Sequence, residues 1–227
     1  MNKNTNTKLL LSWLLIIAFS TAQENDWQLL DSEDGIDVYS RIEKATGIEE
    51  YRAVTTFNCR LEVIAIILKD FTNYPNWMPD CLQAKLLEQI DADNLLLYYL
   101  HNSPSPLKNR DVVLKVETKI DPNSKILYIN SVNINDDRYP PQPDAVRMAK
   151  METCWIIEAI NREQTRLSYR LLSDPAGWIP ASLAIQSIRP LPLKTLLALR
   201  QLAQSERYIQ AAKNSPEEKI VNSLFPK

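Results

Sequence analysis

Residues 174–212 constrain the fold most, because everything before them reads as strands and turns while they read as a turn and then a long apolar helix. Asp174-Pro175-Ala176-Gly177 puts Asp at the first turn position, Pro at the second and Gly at the fourth, which suits a type I turn. Pro180 then fits a first helical turn, where a missing N–H costs nothing. Leu193, Leu196, Leu197, Leu199 and Leu202 recur near helical spacing, with Lys194, Arg200, Gln201 and Gln204 mostly on other faces. Pro190 and Pro192 predict a kink or short break in that helix. An amphipathic helix closing a strand-rich chain needs an apolar surface to cover, and that surface is either a packed core or a cavity.

The chain has 227 residues, 45% apolar, enough for one domain with a sizeable core. Its net charge is −2 with no basic patch, which argues against nucleic acid as a partner. Residues 1–22 read as a secretory signal. Lys3 and Lys8 supply a positive start, 9–19 an apolar run, and Ser20-Thr21-Ala22 a small-residue cleavage site after Ala22. The run is too short for a comfortable membrane span, and its removal takes the net charge from −2 to −4. Secretion or a periplasmic location follows as an expectation. Cys59, Cys81 and Cys154 are odd in number and widely spaced, so one disulfide and three free thiols both stay open.

In order, residues 24–30 suggest a short helix. Asp34-Gly35 and Thr46-Gly47 are turns around strands at 36–42 and 48–58. Residues 61–70 switch to helical period, with Val63, Ile64, Ile67 and Leu68 on one face and Asn58 or Cys59 before its start. The aromatic, proline-punctuated 71–79 reads as a short helix or tight loop. Strands follow at 82–89 and 95–101. In 110–120, Val112, Leu114, Val116, Thr118 and Ile120 face one way, and Val113, Lys115, Glu117 and Lys119 the other. Further strands lie at 125–134, at 146–160 and at 165–171, where Thr165, Leu167, Tyr169 and Leu171 alternate with polar residues. Residues 214–227 read as a loose polar tail. The order is α+β, with an antiparallel sheet solvated on one face and covered on the other. A helix laid on a twisted sheet of this size leaves space for large side chains or for a ligand.

Pro104-Ser105-Pro106-Leu107-Lys108-Asn109-Arg110-Asp111-Val112-Val113 resembles the proline-rich, Asn-Arg-Asp stretch of START domains. Asp174-Pro175-Ala176-Gly177-Trp178-Ile179-Pro180 and the leucine run after it resemble that family's final turn and helix. The resemblance spans residues 27–212. It implies a helix-grip fold, a curved antiparallel sheet wrapped around a long C-terminal helix, enclosing a hydrophobic tunnel for one lipid or sterol-like ligand. It implies a lipid-binding or carrying module rather than an enzyme, without cofactor or metal, monomeric, with the last helix as lid and transient membrane contact. Asn109, Arg110, Asp111, Asp174, Pro175, Gly177, Trp178 and Pro180 carry the motifs as structural positions. Tyr99, Leu114, Val116, Met151, Thr153 and Trp155 are candidate tunnel lining, joined by Tyr169, Leu183 and Leu197. The charge that sterol-binding members place in the tunnel has no counterpart around Leu114, Lys115 and Val116.

Arg110 and Asp111 are neighbours on a strand, so they point to opposite faces. Each is read as pinning a loop, and Arg110 requires an acidic or carbonyl partner if buried. His101, the only histidine, reads as structural or exposed. The alternative is a helix-grip enzyme of cyclase, aromatase or hydrolase type on a hydrophobic substrate. Convergence of two of His101, Tyr98, Tyr99, Glu152 and Tyr169 in the cavity would favour it.

Overall fold

The computed structural model describes residues 26–225, so the signal segment lies outside the described residues. Ten strands form one sheet: β1 (Gln28–Glu33), β2 (Ile36–Ile42), β3 (Glu49–Phe57), β4 (Cys81–Gln89), β5 (Asn94–His101), β6 (Asn109–Asp121), β7 (Ile126–Ile134), β8 (Ala145–Arg147), β9 (Lys150–Ala159) and β10 (Thr165–Asp174). Their order is β1-β2-β3-β10-β9-β7-β6-β5-β4, antiparallel throughout, with β8 added parallel to β6. From β3 to β4 the chain must cross nearly the whole sheet. It does so through α1 (Leu61–Lys69) and a 3-10 turn (Phe71–Asn76). This is the α+β helix-grip architecture, a curved antiparallel sheet with helices closing its inner face.

Period-two alternation sets that inner face. Ala53, Tyr169, Trp155 and Ile129 stand side by side across β3, β10, β9 and β7, and all are buried. Val112, Leu114 and Val116 continue the face on β6, beside Tyr99 and Leu97 on β5. The outer face is not wholly solvated, contrary to the sequence expectation. Tyr98, Asp111 and Val113 are buried there. Residues 135–144 fold back over β4–β6, tied by Arg138 to Glu88 (2.9 Å) and by the Gln142 N–H to Asp111 (2.9 Å).

Four expectations change, and one open alternative, that of the cysteines, is decided. Residues 28–33 pair with β2 as β1 instead of continuing a helix, because the edge of the hairpin offers a free ladder. The strand at 146–160 is two strands. Ala145–Arg147 pairs with β6 where β7 has ended, and the chain then turns into β9. Arg60, extended and without a side-chain cap bond, precedes α1 in place of Asn58 or Cys59. The turn after β10 is not type I. Ala176 takes φ +56°, held by its N–H donating to Asp174 Oδ1 at 2.9 Å. All three cysteines are free thiols, with burial pushing Cys59 up to about 12 and Cys81 to about 11.

The largest change is at the C-terminus. The single long helix is three, α2 (Ala181–Ile188), α3 (Leu191–Ala203) and α4 (Glu206–Ala212), and the expected tail holds a fourth, α5 (Pro216–Leu224). Pro190 and Pro192 supply the first break, where they sit at the start of α3 and remove no needed donor. Extended Ser205 supplies the second. Residues 214–225 are no loose tail. The Ser215 hydroxyl caps α5 by accepting from the Glu218 N–H (3.0 Å), and Pro216 follows at the first helical position. α5 packs on α1 with Lys69–Glu217 and Arg60–Glu218 ion pairs, buries Val221 and Leu224, and is tied to the β9–β10 turn by Arg162, which reaches Asn222 at 2.6 Å. Leu224→Ala should therefore cost about 2 kcal/mol of folding stability. Lys219→Ala, on the exposed side, should stay within about 0.5 kcal/mol. Urea unfolding of the two variants measures the difference, and equal midpoints would mean that α5 is not docked.

Candidate functional site

A latch of three consecutive residues builds the upper rim of the site. Asn109, Arg110 and Asp111 open β6, and alternation sends the middle one inward. Asn109 Oδ1 accepts the Ser103 N–H at 3.2 Å and so holds the loop 102–108. Arg110, 3% exposed, donates from Nε to the Pro175 carbonyl (3.1 Å), from Nη2 to that of Ala176 (3.3 Å), and from Nη1 to that of Lys108. Asp111, fully buried on the other face, accepts from Arg147 Nε (2.9 Å) and Nη2 (3.2 Å). Gly177 takes φ +72°, a conformation other residues avoid, and a Cβ there would sit 3.7 Å from the Arg110 guanidinium. Trp178 follows, 87% exposed, and Pro180 is the residue that precedes α2. One strand start thereby fixes three segments, 102–108, 142–147 and 174–177.

Beneath this rim the sheet and helices enclose a cavity in two parts. The lower chamber, about 460 Å³, lies between the 3-10 turn and the inner faces of β5, β6, β7, β9 and β10. Leu97, Leu114, Val116, Ile129 and Trp155 form its apolar walls. The upper chamber, about 70 Å³, lies under α2 and the loop 102–107. Met78, Tyr99, Met151 and Tyr169 line both and form the waist between them. The waist is aromatic and stiff on one side, since Tyr169 stacks on Trp155 with ring centroids 4.1 Å apart. Two methionines make the other side adaptable.

The upper chamber is the end that holds the buried Arg110 guanidinium. His101, Ser103, Arg110, Ser173, Ser187 and Thr195 reach its wall. His101 pairs with Arg110 across the β5–β6 ladder and stacks on Tyr99 at 6.5 Å. Burial, helped by the Arg110 charge, pulls the His101 pKa down against the opposing pull of Asp80, so the imidazole is neutral near pH 7. Burial drives the Tyr99 and Tyr169 phenols well up, so both are hydrogen-bond donors and not bases.

Seven of the nine lining candidates lie on the cavity wall: Tyr99, Leu114, Val116, Met151, Thr153, Trp155 and Tyr169. Leu183 and Leu197 do not. The helical face turned to the chamber carries Ala184, Ser187, Ile188, Leu191 and Thr195, one residue out of phase with Leu183. Leu197 instead packs against the core. His101 is half-buried on the wall, which is consistent with the structural reading and removes the exposed one. Tyr98 and Glu152 are absent from the wall, while His101, Tyr99 and Tyr169 converge on it. Ser173 and Thr195 were missed. The i, i+3, i+4, i+7, i+11 spacing of 184, 187, 188, 191 and 195 was the signal that could have found the helical ones.

His101 gives a pH test of this burial. Its folded-state pKa lies below the ordinary 6.5, so its contribution to stability is fully present above pH 6.5 and is lost as pH falls through the folded value. His101→Gln should flatten the fall in stability on the acid side of pH 6.5, measured by urea unfolding across pH. An unchanged slope would mean that the imidazole is solvated.

Comparison with known proteins bears on the same elements. Residues 17–203 match the family model described as START domain. An uncharacterized protein of Pseudomonas aeruginosa, PA1579, is 28% identical over 183 residues, 81% of this chain and 89% of that one. The phosphatidylcholine transfer protein of Rattus norvegicus is 26% identical over 159 residues, 69% of this chain and 73% of that one. The crystal structure of a STAR-related lipid transfer protein from Xanthomonas axonopodis superposes with a TM-score of 0.72 at 24% identity, covering 80% of this chain and 100% of that one, a likeness of fold. With more than half its length matched, including the Asn109-Arg110-Asp111 latch and the turn it grips, this chain belongs to the START domain family.

Proposed function

We propose that this protein binds one lipid-like molecule in its cavity, shields the chain of that molecule from water, and exchanges it at a membrane. The observation that carries this reading is the lower chamber, an unfilled apolar space inside a sheet whose other inward side chains are close-packed. Burying a sixteen-carbon chain at ~0.8 kcal/mol per CH₂ is worth on the order of 10 kcal/mol gross. Ordering the chain and opening the protein subtract from that. The lipid-transfer names of the rat and Xanthomonas relatives support a lipid as the ligand.

The exchange step is assigned to α2 and the turn before it. Residues 175–188 run for fourteen residues without a charge. Trp178 (87% exposed) and Ile185 (43%) lie on their outer side, where a tryptophan suits the membrane interface. No helix among the described residues is long and apolar enough to cross a membrane. The contact proposed here is peripheral, made by Trp178 and Ile185. Secretion or a periplasmic location, directed by residues 1–22, and a monomeric state complete the proposal. The convergence of His101, Tyr99 and Tyr169 favours one second reading, an enzyme acting on a hydrophobic substrate with the neutral imidazole as base.

Native mass spectrometry of the full chain from its own host, followed by solvent extraction, tests the first reading. One intact lipid per chain is expected. A chemically altered product in its place would favour the enzyme, and a protein that stays empty after incubation with mixed lipids would overturn the lipid-binding reading and move weight to an enzyme or a filled core. Trp178→Ser should slow lipid transfer between vesicles by roughly tenfold, equivalent to about 1.4 kcal/mol of interfacial binding, and leave equilibrium affinity unchanged. Equal loss of rate and affinity would place Trp178 in binding rather than in membrane contact.

A further inference from the structure

We propose that the ligand carries an anionic group, a carboxylate or a phosphate, and that Arg110 receives it in the upper chamber. The proposal rests on the lipid-binding reading above and names the chemical class of the head group.

Arg110 is a buried cation with no acid beside it. Its hydrogen bonds go to three backbone carbonyls, those of Lys108, Pro175 and Ala176. Carbonyls satisfy donors, but they cancel no charge. Among the described residues no carboxylate forms an ion pair with Arg110, and the two nearest in sequence or along the turn are otherwise engaged. Asp111 points to the opposite face and takes both nitrogens of the Arg147 fork. Asp174 caps its own turn through the Ala176 N–H. His101, directly across the ladder, is held neutral. Burial pulls the guanidinium pKa down, and no acid pulls it back up. A guanidinium has five N–H donors and three are used, so two are left on a side chain that lines the chamber. A buried charge that lacks a counter-ion is costly, and an anion from the ligand removes that cost. The planar fork suits a carboxylate or phosphate.

The surroundings agree with the assignment. Ser103, Ser173, Ser187 and Thr195 bring hydroxyls to the same chamber. In the lower chamber Leu97, Leu114, Val116, Ile129 and Trp155 offer a continuous apolar wall, with Lys69, Asp70 and Asp93 also on its lining. The cavity therefore carries its buried positive charge at the α2 end, with apolar wall below the waist to take a chain. A ligand enters tail first and stops with its head at Arg110.

The test holds the tail constant and varies the head. Palmitate, hexadecyl phosphate and 1-hexadecanol are titrated into the delipidated full chain below their aggregation limits, with inorganic phosphate as a free anion. The two anionic amphiphiles should bind at least about tenfold more tightly than the alcohol. Inorganic phosphate should not displace either, because it brings no chain. R110Q should bring the three amphiphiles to similar affinities while hexadecanol binding persists, which also shows that the variant is folded. R110K, which keeps the charge and loses the fork, should retain part of the preference. Equal affinities for the three amphiphiles in the natural protein, or a preference that survives in R110Q, would overturn the proposal and leave lipid binding standing. Displacement by inorganic phosphate would overturn the lipid head group as the source of the anion. Failure of all three amphiphiles to bind would overturn the lipid-binding reading and this proposal with it.

Discussion

A strand cannot send two neighbouring side chains to the same face, and the site depends on that rule at Arg110 and Asp111. Asp111 goes outward and is buried only because residues 135–147 fold over it, bringing Arg147 as its counter-ion. Arg110 goes inward and reaches across to the turn that follows β10. The pair joins a loop, a turn and a covering segment that lie 30 to 65 residues apart in sequence, at a single strand start. A buried ion pair gains little over apolar packing, and its loss is costly because the partner is left charged. Asp111 therefore acts as a registration device more than as a source of stability, and it leaves its neighbour Arg110 without an acid.

The cavity persists for a related reason. Close packing would close it if the helices could settle flat on the sheet, as interiors ordinarily do. The waist prevents this. Tyr169 stacked on Trp155 is a rigid block on β9 and β10, and Tyr99 faces it from β5. With α1 and α3 anchored at their own buried faces, through Ile64 and Ile67 and through Leu196 and Leu199, no element is free to drop into the lower chamber.

Much of this was legible in the sequence, for physical reasons that also explain the failures. Alternation in 110–120 and 165–171 fixed which residues face inward, and the wall positions on β6, β9 and β10 followed from it. The helical positions failed because Leu183 and Leu197 were chosen by apolarity, whereas the chamber is faced by a phase that includes Ser187 and Thr195. A polar-rimmed cavity recruits hydroxyls that a search for core leucines passes over. The C-terminal segment failed differently. Ser215-Pro216-Glu217-Glu218 holds a cap, a first-turn proline and a Glu three residues after the cap, the signature of a helix start. Its polar composition hid that pattern, since only Val221 and Leu224 are needed to dock so short a helix. The exposed alternative stayed open for His101 because nothing local marks a strand end as covered. The loop and α2 that cover it come from 102–107 and 181–188.

The break at Pro190 reconciles two demands on the last helices. The wall needs a continuous helical face, and the face at 184, 187, 188, 191 and 195 does keep its phase across the break. The exchange of a ligand needs one part of that wall to move without the other. α3 is anchored by the buried Leu196, Leu199 and Ala203. Residues 182–188 of α2 are all half-buried or exposed, so displacing α2 gives up far less apolar contact. A proline at the start of α3 breaks the backbone ladder there at no cost in hydrogen bonds, and Ala176 and Gly177, both with positive φ, bound the lid at its other end. A single unbroken helix would tie α2 to the core, and the displacement of α2 that the proposed exchange calls for would then require unfolding part of α3.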